Sequence, residues 1–208
     1  MSEFDDAIIW ASKNGHVEVV RLLLADPRVD PSVDNNQAIC FAAKNGHTEV
    51  VKLLLADKRT NPTTDNDLAF RDASWNGNTE IVRLLLADPR VDPTRYNNEA
   101  IVRASACGHL KVVRLLLNDH RVNPASCNNL AIHFASKCGH VGVVRLLLAD
   151  SRVDPTFDDN WAIRSASTGG RTEIVRVLLQ DPRVDASNAE SNNPEIREML
   201  AQWKYHPR

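Results

Sequence analysis

The chain is poor in several things that would have marked a chemistry. Its 208 residues carry a formal net charge of only −2, so no bulk attraction draws it to nucleic acid or anionic lipid. No apolar run approaches the roughly 20 residues of a membrane span. The opening, MSEFDDAIIW, is acidic and lacks the basic start and long apolar core of a signal peptide. Only eight glycines are present, none arranged as a phosphate-binding loop, and no G-x-S-x-G nucleophile motif occurs. The four cysteines, Cys40, Cys107, Cys127 and Cys138, show no spacing for a metal or a disulfide. Cys107 and Cys138 are one repeat apart, where helices in contact lie about 8–10 Å from each other. A disulfide needs Cα atoms about 4.4–6.8 Å apart. The cysteines therefore predict a reducing, cytoplasmic compartment, with the nucleus also open.

What the chain has in abundance is itself. Gly15, Gly46, Gly77, Gly108, Gly139 and Gly170 recur at an unbroken interval of 31 residues. The stretch NGHVEVVRLLLADPRVDP, from Asn14 to Pro31, returns with small changes around each glycine. A fixed period of this length means stacked supersecondary units, each touching its neighbours, rather than one globular core. The predicted fold is all-α, a solenoid of six tandem helix-turn-helix repeats over about 5–186. A polar connector and a capping helix over about 187–204 complete a single domain of 1–208.

The second copy shows why. Asn35 and Asn36 precede Gln37-Ala38-Ile39, and either can cap a first helix. That helix runs to about Lys44 and stops at Asn45-Gly46. Thr48 is expected to cap a second helix, with Glu49 in its first turn. Val50, Val51, Leu53, Leu54 and Leu55 leave only Lys52 polar, so this helix must be covered on most sides. A loop of the DPRVDP type follows, whose prolines stop the helix and stiffen the connection. Alanine recurs in the first helix at Ala11, Ala42, Ala73, Ala104, Ala135 and Ala166, the expected column of closest approach. At the end of the chain, Asn193-Pro194-Glu195 starts a helix. Its Ile196, Met199, Leu200 and Trp203 form one apolar face, and Lys204 to Arg208 is read as a frayed end.

A helix, an Asn-Gly-His turn and a helix with a Val-Val-Arg-Leu-Leu-Leu core resemble the ankyrin repeat. The likeness runs from about Asp5 to Ala186 and is carried most clearly by the strings beginning at Gly15, Gly46 and Gly139. The copies depart from the family in their 31-residue length and in lacking its Thr-Pro-Leu-His helix start. DPRVDP also replaces the connection that leads into a β-hairpin, so projecting hairpins are not expected. The resemblance implies that the turn histidines are structural, hydrogen-bonding one turn to the next. It further implies a protein–protein interaction module that binds through a concave face of loop tips and first helices. No catalytic set of residues appears beside it, so neither catalysis nor a cofactor is expected.

The residues agree with those implications. His16, His47, His109 and His140 stand one per repeat, whereas ligands of one zinc lie about 2 Å from the ion. Two arginine-rich columns run beside a column of aspartates, the pattern of a salt-bridged face rather than a nucleic-acid stripe. Trp10, Phe41 and Phe134 share a first-helix column and are expected to fill core. The columns that vary between copies hold the candidate protein-binding residues Arg71, Trp75, Arg95, Tyr96, Arg103, Trp161 and Arg164, because aromatics and arginine dominate hot spots. The partner is expected to be another protein, bound by a monomer, with no membrane and no nucleic acid. Nucleic-acid or small-ligand binding, and modification of loop asparagines such as Asn61 and Asn123, are the alternatives.

Overall fold

The computed structural model describes residues 3–205, with side chains from Asp5; the frayed end expected at 206–208 lies outside them. It divides into two compact units, one ending at Ala100 and the other beginning at Ile101. The first contains α1 (Glu3–Asn14), α2 (Val17–Ala25), α3 (Val33–Asn45), α4 (Thr48–Ala56), α5 (Thr64–Trp75) and α6 (Thr79–Ala87). Helix α7 (Arg95–Ala106) spans the division. The second continues with α8 (Leu110–Leu117), α9 (Ser126–Cys138), α10 (Val141–Leu148), α11 (Phe157–Thr168), α12 (Thr172–Leu179) and α13 (Pro194–Tyr205). No strand occurs among the described residues, so the DPRVDP connections are loops, as the sequence predicts. Lys204 and Tyr205, expected to fray, belong to α13. Among the described residues no helix is long and apolar enough to cross a membrane.

Odd-numbered helices stack on odd-numbered ones and even on even. In the first unit α3 lies between α1 and α5, and α4 between α2 and α6; in the second α9 packs on α11, and α10 between α8 and α12. The core is built from recurring columns. Val20, Val51, Val82, Val113, Val144 and Val175 are all sealed from solvent, as are all six first-helix alanines. In the connecting loops Val29, Val91, Val122, Val153 and Val184 are buried too, with Thr60 in the same column. The proline that closes each of the first five loops, Pro31, Pro62, Pro93, Pro124 and Pro155, is likewise buried. Each loop is thus pinned by an apolar side chain as well as stiffened by its ring.

Polar ties join one repeat to the next. His47 Nε2 lies 2.9 Å from the Lys13 carbonyl, and His140 Nε2 2.9 Å from that of Ala106. Where histidine is replaced, Asn78 donates to the Ala43 and Lys44 carbonyls and Arg171 to that of Lys137. These carbonyls are orphans at first-helix ends, and the next turn satisfies them. Glycine makes room for the exchange: Gly15 has φ +75, and a Cβ there would stand 2.5 Å from His47 Nδ1. The loop arginines act similarly. Arg59 pairs with Asp57 at 2.6 Å and donates to the Val29 and Leu24 carbonyls of the preceding repeat. Arg183 repeats this with Asp181, Val153 and Leu148. The arginine column is therefore neutralised, as its interleaved aspartates implied.

Three expectations need correction. Thr48 does not cap α4; it is the first helical residue, and His47 stands at the cap position without a capping bond because its ring reaches back to Lys13. Asn35 and Asn36 do not cap a right-handed helix either. With Asp34 they form a single left-handed turn, φ 49, 55 and 57, and the right-handed helix starts at Gln37. The same three-residue turn recurs at Asp65–Asp67, Tyr96–Asn98, Cys127–Asn129 and Asp158–Asn160. Trp10 is no core filler: it is 59% exposed and tilts against His16, while Phe41 and Phe134 are only half-buried.

Candidate interaction surface

The left-handed turns set out the surface. Asn and Asp tolerate positive φ because their short polar side chains bond locally, which explains thirteen of the fifteen turn positions by residue type. The turn is locked from within the stack. Asn36 Oδ1 accepts the Asn61 amide at 2.7 Å, and its Nδ2 donates to Thr64 Oγ1 at 2.9 Å. Asn129 and Asn160 accept the Asp154 and Asp185 amides in the same way. The third residue of each turn is thereby buried or nearly so, and the first is presented outward.

In the first unit the outward positions are Asp34, Asp65 and Tyr96, all exposed. Tyr96 is neither glycine, Asn nor Asp, yet sits at φ 49, ψ 49, with 57% of its surface open. Two neighbours hold it. Asn66 Nδ2 donates to its hydroxyl at 3.0 Å, and the Arg71 guanidinium lies 4.5 Å from the ring centroid, within cation–π range. Arg71 is itself fixed: Nη1 meets Glu99 Oε2 at 2.6 Å, Nε donates to the Asn66 carbonyl and Nη2 to that of Asp65. Its side chain is only 15% exposed. Arg71 is thus the support of Tyr96 rather than an open contact.

Arg95 is also occupied. Asp67 takes the place of Asn36 one repeat later and is fully buried, and Arg95 Nε reaches its carboxylate at 3.2 Å. Burial raises the Asp67 pKa, opposed by the Asp92 backbone and Arg95. Aspartate has no amide donor to match Asn36, and the arginine, standing in the column of Thr64, supplies one. Trp75 ends α5, half-exposed. Between α3 and α5 runs a groove of about 260 Å³ whose walls include Phe41, Leu68, Lys44 and three carboxylates, Asp34, Asp65 and Asp72. At its floor burial, with help from Asp65 and Asp72, pushes the Cys40 thiol up to about 12, so it stays protonated.

In the second unit Arg103 is half-buried in α7, and Trp161 opens the right-handed part of α11. Trp161 stacks face to face on His133 of α9. His133 is 3% exposed, and burial, aided by Lys137, lowers its pKa to about 4. Arg164 donates to the Asp158 carbonyl at 3.1 Å, the arrangement Arg71 makes with Asp65, and lies 3.9 Å from Asp159. Arg71–Glu99 and His133–Trp161 occupy the same two columns, 28 residues apart. Asn66, Glu99 and Asp67 were missed by the sequence reading. Asn66 sits in a column of asparagines that looks like framework, whereas Glu99 could have been found as the acid among Gln37, Leu68, Leu130 and Trp161. Among the described residues no group of three or more His, Cys, Asp or Glu side chains could hold a metal ion.

Comparison with known proteins agrees with this geometry. The family model described as "Ankyrin repeats (3 copies)" matches residues 3–66, 70–159 and 101–190. Among solved structures, the chain is similar to the human ASB11 ankyrin repeat domain, with 16% identity and a TM-score of 0.77 over 94% of this chain and 96% of that one. The ankyrin repeat domain of Bcl-3, described as a unique member of the IkappaB protein family, gives 18% identity and a TM-score of 0.72, covering 94% and 97%. An ankyrin repeat domain from Acinetobacter baumannii AYE gives 23% identity and a TM-score of 0.67, covering 84% and 96%. No curated protein matches the sequence.

Proposed function

This chain belongs to the ankyrin repeat family, and we propose that it works as a protein-binding module whose contact centres on Tyr96 and Trp75 in the first unit. The reading is carried by one observation: Tyr96 is an exposed aromatic in a left-handed conformation, held from below by Arg71 and at its hydroxyl by Asn66. Holding a non-glycine residue there costs about 1–2 kcal/mol. A ring already fixed in place loses little entropy on binding, and tyrosine and tryptophan are favoured hot-spot types. Trp75 supplies a second half-exposed aromatic on the preceding first helix. Arg71, Arg95 and Glu99 act as supports; Trp161, Arg164 and Arg103 are separate candidate contacts of the second unit by itself. We further propose that the protein acts as a monomer in a reducing compartment.

The test is capture from source-cell lysate, comparing wild type with a Trp75→Ala, Tyr96→Ala double variant of unchanged circular dichroism. Partners held by wild type and lost from the variant place the contact at these rings. Partners held equally by both would reject this surface.

A further inference from the structure

The end of the array differs from its other repeats in a way that leaves a seat unfilled. In the second unit Arg145 of α10 bonds Glu173 of α12, Nη2 to Oε1 at 3.1 Å, across 28 residues. Arg176 of α12 makes the equivalent bond with Glu195 of α13 at 2.9 Å across only 19, nine fewer. Ile196 and Leu200 are buried, as are their counterparts Ile174 and Leu178. Helix α13 therefore sits on α12 as α12 sits on α10, a second helix of its type. No first helix intervenes between α12 and α13.

A connector without helical structure lies across α11 instead. Ser191 Oγ donates to the Ser167 carbonyl at 2.6 Å, Asn188 Nδ2 reaches the Asp159 carboxylate at 3.2 Å, and Ala189 is buried. Between the connector and α13 runs an open groove of about 400 Å³. Arg197, Leu200, Ala201 and Lys204 line its α13 side, at the spacing of one helix face. The column that holds Val20, Val51, Val82, Val113, Val144 and Val175, all buried, holds Arg197 here, and it is exposed. Neither Arg197 nor Lys204 has an ion pair among the described residues, although most arginines of this chain do. Glu190 is the one acid in the lining, so the groove carries a net positive charge.

We propose that this groove docks an amphipathic helix of a partner protein, with apolar residues facing Leu200 and Ala201 and acidic residues flanking them. The seat is helix-shaped because α2, α4, α6, α10 and α12 each pair with a first helix there, and its rim selects acid by charge complementarity. The site is independent of the Tyr96 surface.

Fluorescence anisotropy of the full chain with two labelled helical peptides tests it. Both carry the same apolar stripe, one flanked by glutamates and the other by lysines. Wild type should bind the glutamate peptide at least about tenfold more tightly. The Arg197→Glu, Lys204→Glu variant should reverse that preference, and Ala201→Trp should weaken both peptides. Tyr96→Ala should change neither, which separates failure here from failure of the Tyr96 reading. Equal affinity for the two peptides, no binding, or a preference untouched by charge reversal would overturn the proposal. So would sedimentation revealing a dimer that Ala201→Trp dissociates, which would give the groove to a second copy.

Discussion

At the scale of single residues, stability and binding are separable at Tyr96. Asparagine accepts a left-handed backbone where tyrosine does not. Tyr96→Asn should hold or raise stability by up to about 1 kcal/mol in chemical denaturation while abolishing capture of the partner. Asp67 offers a second test. Burial raises its folded pKa above the unfolded value, so its contribution to stability is complete below the unfolded pKa and is lost as pH rises through the folded one. Asp67→Asn, which restores the residue found at positions 36, 129 and 160, should therefore stabilise at pH 7 by about 1 kcal/mol. The gain should shrink in acid. His133 has the opposite dependence. Its folded pKa of about 4 lies below the ordinary 6.5, so stability is full above 6.5 and falls as pH drops toward 4. Melting temperatures measured across that interval should fall for wild type and less for His133→Phe.

At the scale of elements, the first helices are governed by their closest column. Ala104 is fully buried, and Ala104→Leu should cost about 1–3 kcal/mol by overpacking. An unchanged melting curve would refute the placement. Gly142, in the first turn of α10, has space: an added Cβ would meet Leu110 at an ordinary 3.4 Å. Gly142→Ala should stabilise by about 0.4–1 kcal/mol, since glycine there only adds freedom to the unfolded chain. The left-handed turns explain why Asn35 and Asn36 misled as caps. Capping and positive φ favour the same short polar side chains. Which role they take depends on a partner 25 residues away, the amide of Asn61.

For the molecule as a whole, repeats that contact only their neighbours make stability a local sum. The last helix pair has Gly169-Gly170-Arg171 in place of Asn-Gly-His, and the pair before it has Gly142. Hydrogen exchange should therefore be fastest, at matched positions, toward the C-terminal end; uniform protection across the repeats would contradict this. The sequence by itself determined the all-helical repeat, the burial of its valine and alanine columns, the loops without strands and the neutralised arginine face. All of these follow from periodicity, because a 31-residue period repeats the same local demands in every copy. Tertiary structure alone decided the left-handed turns, the locking of Arg71 beneath Tyr96, the burial of Asp67 against Arg95 and the open seat before α13. Each depends on a contact between residues 19 to 30 apart, and no local rule encodes which of them meet.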